Sequence, residues 1–120
     1  MGEYHATAGE GRTEVCLRVD TLGDNLVVLI YNENAHIGAV AVGEWDEKEQ
    51  RASVSVHTRL GHKDDAIAQK AAYTISKSIK KPVCVIAGVH VENITAEEIK
   101  KVLDNAEVVV REFLRARKEE

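Results

Sequence analysis

Val83–Val91 (VCVIAGVHV), set directly behind Pro82, is apolar at nearly every position. A strand of this kind is buried on both faces. It follows a helical pattern, so it is expected to run parallel to the fourth strand of an antiparallel meander through a right-handed crossover. That helix lies upstream: over Lys63–Lys80 the residues Ile67, Ala68, Ala71, Ala72, Ile75 and Ile79 form one apolar stripe. Pro82 ends it, because the residue before a proline avoids helical backbone.

Further upstream, four strand patterns are separated by short turns. Glu14–Asp20 alternates, with Val15, Leu17 and Val19 on one side. Gly23, Asp24 and Asn25 punctuate a hairpin before Leu26–Tyr31 (LVVLIY), which is again apolar throughout. Ile37–Trp45 and Arg51–Val56 complete the set, the latter alternating Ala52, Val54 and Val56 with serines. Downstream, Thr95 and Glu98 make a capping box. They open a second amphipathic helix with Ile99, Val102, Leu103, Ala106, Val109, Val110, Phe113 and Leu114 on its apolar side. Basic residues close that helix, matching its dipole.

The expected fold is α+β: two layers in the order ββββαβα, with a mixed five-stranded sheet and both helices on one face. Residues 1–12 (MGEYHATAGEGR) are expected to be a flexible lead-in and 13–120 a single domain. Two helices leave one sheet face without cover. The doubly apolar strands therefore imply a homo-oligomer in which a second subunit buries that face.

The chain has 120 residues and a net charge of −4, with 30% charged residues of mixed sign. That composition lacks the basic surface of a nucleic-acid binder. No run is long and apolar enough to span a membrane, and no signal peptide is evident, so a cytoplasmic protein is expected. Cys16 and Cys84 lie far apart in apolar runs and read as reduced core thiols.

The topology sorts the chemistry-bearing residues. The second, fourth and fifth strands share a direction, so their C-terminal ends meet at one edge, where both helices also begin. Those ends carry Asn34–Gly38, His57–Lys63 and Gly88–Asn93. His36, His62, His90, Arg59 and Lys63 are thereby drawn to one rim, beside Gly38, Gly61 and Gly88. Helix N-termini carry unpaired N–H groups and partial positive charge, so an anion such as a phosphate is the physical match. His36, His62 and His90 could also ligate a divalent metal. Asp64 reads as a dipole partner in the first turn, as a group orienting a histidine or as a general base. His57 shares a face with Ser53 and Ser55 and reads as a surface or interface residue. His5 reads as a surface residue. No serine or cysteine nucleophile falls within these motifs, so a non-catalytic role is expected.

Asn34-Ala35-His36-Ile37-Gly38, Gly61-His62-Lys63-Asp64 and Ala87-Gly88-Val89-His90-Val91-Glu92-Asn93-Ile94-Thr95 together resemble the LpdD-like family. These are small D subunits associated with gallate and related UbiD-type decarboxylases. The resemblance covers about residues 14–115. It departs at Ala35, where some members carry proline. It implies a chaperone that holds prenylated flavin mononucleotide (FMN), or FMN, and helps mature a UbiD-type decarboxylase. Carried across, the cofactor-binding positions are His36, Gly38, Gly61, His62, Lys63, Asp64, Gly88, His90 and Asn93. Two alternatives remain at the level of sequence. One is a small metal-dependent enzyme acting on a phosphorylated substrate; the other is a purely structural interaction subunit.

Overall fold

The computed structural model describes residues 3–60 and 64–118. In chain order the elements are β1 (Tyr4–Ala8), a 3-10 turn (Gly11–Thr13), β2 (Val15–Leu22), β3 (Asn25–Tyr31), β4 (Ala39–Asp46), β5 (Arg51–Thr58), α1 (Asp65–Ile79), β6 (Val83–Gly88) and α2 (Ala96–Lys118). The fold is α+β, as expected, but its sheet has six strands in the order β1-β2-β3-β6-β4-β5.

Two corrections follow. The segment expected to lead into the domain supplies the extra strand. Tyr4, Ala6 and Ala8 pair with Val19, Leu17 and Val15, and the Tyr4 ring meets Phe113 of α2 with centroids 5.3 Å apart. Gly9 lies so close to Asn105 that a Cβ there would collide with its side chain. The second correction concerns β6. It does not flank β5 beyond a four-strand meander. It inserts between β3 and β4, parallel to β3 and antiparallel to β4. The physical reason lies in the side chains. Both neighbours of a central strand must be strands, and β6 is apolar on both faces, whereas β5 alternates with serines and is mostly exposed. The polar strand takes the edge.

Strand directions survive this correction, so the C-terminal ends of β3, β5 and β6 do share one edge. Both helices pack on one face, α1 over β4, β5 and β6 and α2 over β1 and β2. The core lies between, with Leu17, Val28, Ile30, Ala41, Val85, Ile75, Val109 and Phe113 fully or almost fully buried. Cys16 and Cys84 are free thiols on the opposite face and only half-buried, not core residues. Among the described residues, no helix is long and apolar enough to cross a membrane.

Helix α1 ends at Ile79 with Lys80 in left-handed backbone (φ 56°, ψ 43°), and the Lys80 N–H donates to the Ser76 carbonyl at 2.9 Å. The helix sits directly on Gly43 of β4. A Cβ there would lie 2.5 Å from the Ala72 carbonyl oxygen and 2.8 Å from Ser76 Oγ. Gly43→Ala is therefore expected to destabilise the protein by about 1–3 kcal/mol through overpacking. Urea unfolding checks this, and an unchanged midpoint would show that α1 does not approach β4 this closely.

Candidate functional site

Because β6 separates β3 from β4, the connection 32–38 must step across the C-terminal end of β6. The contact is close. A Cβ on Gly88 would collide with the His36 carbonyl oxygen, so only glycine fits beneath the loop. The Gly38 N–H donates to the Ala87 carbonyl at 2.9 Å, and the Arg59 N–H donates to the Gly38 carbonyl at 2.9 Å. The Arg59 guanidinium donates to the Ile37 carbonyl at 2.8 Å. All three loops are thus joined at one rim.

Asn32 is the buried post of this rim, at 4% exposure. Its amide donates to the His90 carbonyl at 2.8 Å, while its Oδ1 accepts from the His90 N–H at 3.2 Å and the Asn34 N–H at 3.0 Å. The Asn34 amide donates to the same His90 carbonyl at 3.0 Å. A buried polar side chain with its groups satisfied in this way fixes loop geometry. The sequence reading gave Asn32 no part in the site. The available signal was its place, immediately after a strand apolar on both faces.

Asp64 is the second buried post, at 5% exposure. Its Oδ1 accepts the Val89 N–H at 3.0 Å, and its Oδ2 lies 3.4 Å from His36 Nε2. The other imidazole nitrogen, Nδ1, donates to the Asn34 carbonyl at 2.9 Å. Gly38 leaves the space that the Asp64 carboxylate fills. Of the readings of Asp64, the geometry is that of a group orienting a histidine. Its side chain makes no capping bond to α1.

Of the other expected site residues, His90 is held by its backbone, while its exposed imidazole lies 3.2 Å from Glu92. Asn93 adopts left-handed backbone (φ 51°), a turn role that asparagine tolerates. Gly61, His62 and Lys63 lie outside the described residues. His57 sits near the end of β5 opposite Val40, on the sheet face that the helices leave open. Among the described residues, no three His, Cys, Asp or Glu side chains are grouped to hold a metal ion.

The two helix starts differ. At α2 the expected capping box forms: the Glu98 N–H donates to Thr95 Oγ1 at 3.1 Å and the Thr95 N–H donates to Glu98 Oε1 at 3.0 Å. Arg12 joins it, with Nε 2.7 Å from Glu98. That helix start is closed by its own carboxylate, whereas Asp64 makes no such bond at α1. The rim also carries apolar side chains that sequence reasoning missed. Ile37, Leu60 and Ile94, one on each loop, are 52%, 99% and 38% exposed. The signal was an aliphatic residue among turn residues in each motif. A separate cavity of about 540 Å³ lies between α1 and α2 over Ile30, and none of the expected site residues lines it.

The fold places the chain among small α+β proteins with a six-stranded mixed sheet and two helices. A chain in a crystal structure of a novel chaperone complex for yeast 20S proteasome assembly has the same fold. It is 13% identical, with a TM-score of 0.60, covering 99% of this chain and 98% of that one. A family model for the prenylated flavin chaperone LpdD-like domain matches residues 9–118, and the chain belongs to that family. No curated protein matches it.

Arg12 and the Thr95 N–H hold the Glu98 carboxyl at about 2, well below the ordinary 4.5. A depressed acid contributes its stabilisation above pH 4.5 and loses it as pH falls toward 2. Carboxyl NMR titration is expected to show the Glu98 midpoint at about 2 in the native protein and clearly higher in Arg12→Ala. Amide protection at the start of α2 should fall over the same pH window. An identical midpoint in the variant would show that Arg12 does not hold the cap.

Proposed function

We propose that this protein is a non-catalytic carrier that holds prenylated FMN at the rim and delivers it to a UbiD-type decarboxylase subunit. One observation carries this reading beyond the family membership: three loops bring a helix start that Asp64 does not cap, the His36–Asp64 pair and three exposed aliphatic side chains to one sheet edge. Such a set suits a ligand with an anionic end and a flat apolar body. The N–H groups opening α1 would receive the phosphate, with Lys63 adjacent in sequence. Ile37, Leu60 and Ile94 would cover the ring system. His36, its imidazole only partly exposed at 24%, would donate or accept at the ring or phosphate. Gly38 and Gly88 serve indirectly, by letting Asp64 and His36 sit where they do. When bound, the flavin supplies the chemistry of the partner enzyme; this chain's residues bind, orient and shield it.

Leu60→Asp replaces a side chain that is 99% exposed, so it is not expected to disturb folding. The native protein should retain reduced prenylated FMN through desalting and restore activity to the apo-decarboxylase. Leu60→Asp and His36→Ala should each weaken retention about tenfold, equivalent to about 1.4 kcal/mol. Failure to retain either prenylated FMN or FMN would defeat the proposal, as would native retention by both variants.

A further inference from the structure

The two helices share one sheet face but leave its middle uncovered. α1 packs over β4, β5 and β6, and α2 packs over β1 and β2. β3 therefore lies under the gap between them, and Ile30 is the floor of the cavity of about 540 Å³. Its inner walls are aliphatic and short: Ile67 and Ala71 from α1, Ala106 and Val110 from α2, all buried. The volume falls inside the range of about 300–1,000 Å³ typical of small-molecule sites. No aromatic residue lines it, so a flat ring finds no stacking partner there. An aliphatic chain is the better match to such walls.

The charged residues around the cavity give it a direction. Both helices begin at the rim edge and run the same way, so their turns pair off. Lys70 of α1 and Glu107 of α2 form an ion pair between the walls. One turn nearer the rim, Ala66 stands level with Leu103, which is 41% exposed. One turn farther from it, Thr74 stands level with Arg111. Lys70 thus neutralises Glu107, and Lys100 lies 2.9 Å from the other acidic wall residue, Asp104. Arg111 has no ion pair or hydrogen bond among the described residues. It is the cavity's one uncompensated charge, and Thr74 brings a hydroxyl to the same end. The cavity is therefore apolar toward the rim and cationic at its far end. At about 1.5 Å per residue, the span from Ala66 to Thr74 is about 12 Å.

We infer that this cavity binds an aliphatic monocarboxylate, its chain lying over Ile30 between Ile67 and Val110 and its carboxylate meeting Arg111 beside Thr74. A guanidinium offers such a head group a charge-assisted, two-pronged contact. The site is separate from the rim, and the inference does not rest on the flavin reading. Isothermal titration of the full chain with decanoate, kept below its micelle-forming concentration, tests it against decanol, which has the same chain without the charge. Decanoate should bind at a single site. Because Arg111 is exposed and partly screened, decanol should bind about fivefold more weakly. Arg111→Gln should weaken decanoate about fivefold and leave decanol unchanged. Amide NMR shifts with decanoate should fall within 66–74 and 103–111. Absence of decanoate binding would overturn the inference. So would equal affinity for decanoate and decanol, an unchanged decanoate affinity in Arg111→Gln, or shifts confined to the rim loops 32–38 and 88–94.

Discussion

The close passage of loop 32–38 over the end of β6 is the constraint on which the site depends. A strand inserted between β3 and β4 denies those two a hairpin, so their connection must cross the inserted strand. The crossing leaves no room for a side chain at Gly88. It brings the His36 loop onto the His90 loop, where Asn32 and Asn34 bind the His90 backbone. It also sets His36 against Asp64 at the start of α1. The rim is therefore a product of sheet order.

Two buried side chains then turn proximity into fixed geometry. Asn32 and Asp64 are polar groups of the kind that destabilise a fold when unpaired and rigidify it when satisfied. Each reaches across to the β6–α2 loop, Asn32 to the backbone of His90 and Asp64 to the backbone of Val89. Asp64 spends its carboxylate on this strut and makes no capping bond to the first amides of α1. At α2 the opposite holds, since Thr95, Glu98 and Arg12 close the helix start together. The two helix starts on this edge thus differ in their capping, and the proposed phosphate position rests on that difference rather than on the count of basic residues.

Much of this was legible in the sequence. Helix stripes, strand runs and the capping box follow from spacing alone, and strand directions sufficed to gather the three motifs at one edge. The order of strands was not legible from the default that consecutive strands pair. The doubly apolar β6 and the serine-bearing β5 carried the information that β6 is central. Tyr4–Ala8 gave a weak signal because it is short, rich in small residues and followed by Gly9. Its identity as a strand depends on partners in β2 and on Phe113, far along the chain. Asn32 and the exposed Ile37, Leu60 and Ile94 were hidden for a related reason. Burial and exposure in loops are set by tertiary contacts that no local pattern encodes. The similarity to a proteasome-assembly chaperone chain at 13% identity speaks to fold. The family match speaks to prenylated flavin.

The central claim is that one sheet edge, built by the crossing over β6, is where the flavin binds. Two-dimensional amide NMR of the full chain titrated with prenylated FMN tests this most directly. The account predicts that the largest shifts fall in residues 32–38, 59–67 and 88–94, with little change along the facing sides of α1 and α2 beyond their first turns. Shifts concentrated instead around the cavity at Ile30, Ala71 and Val110, or across the open sheet face, would contradict it.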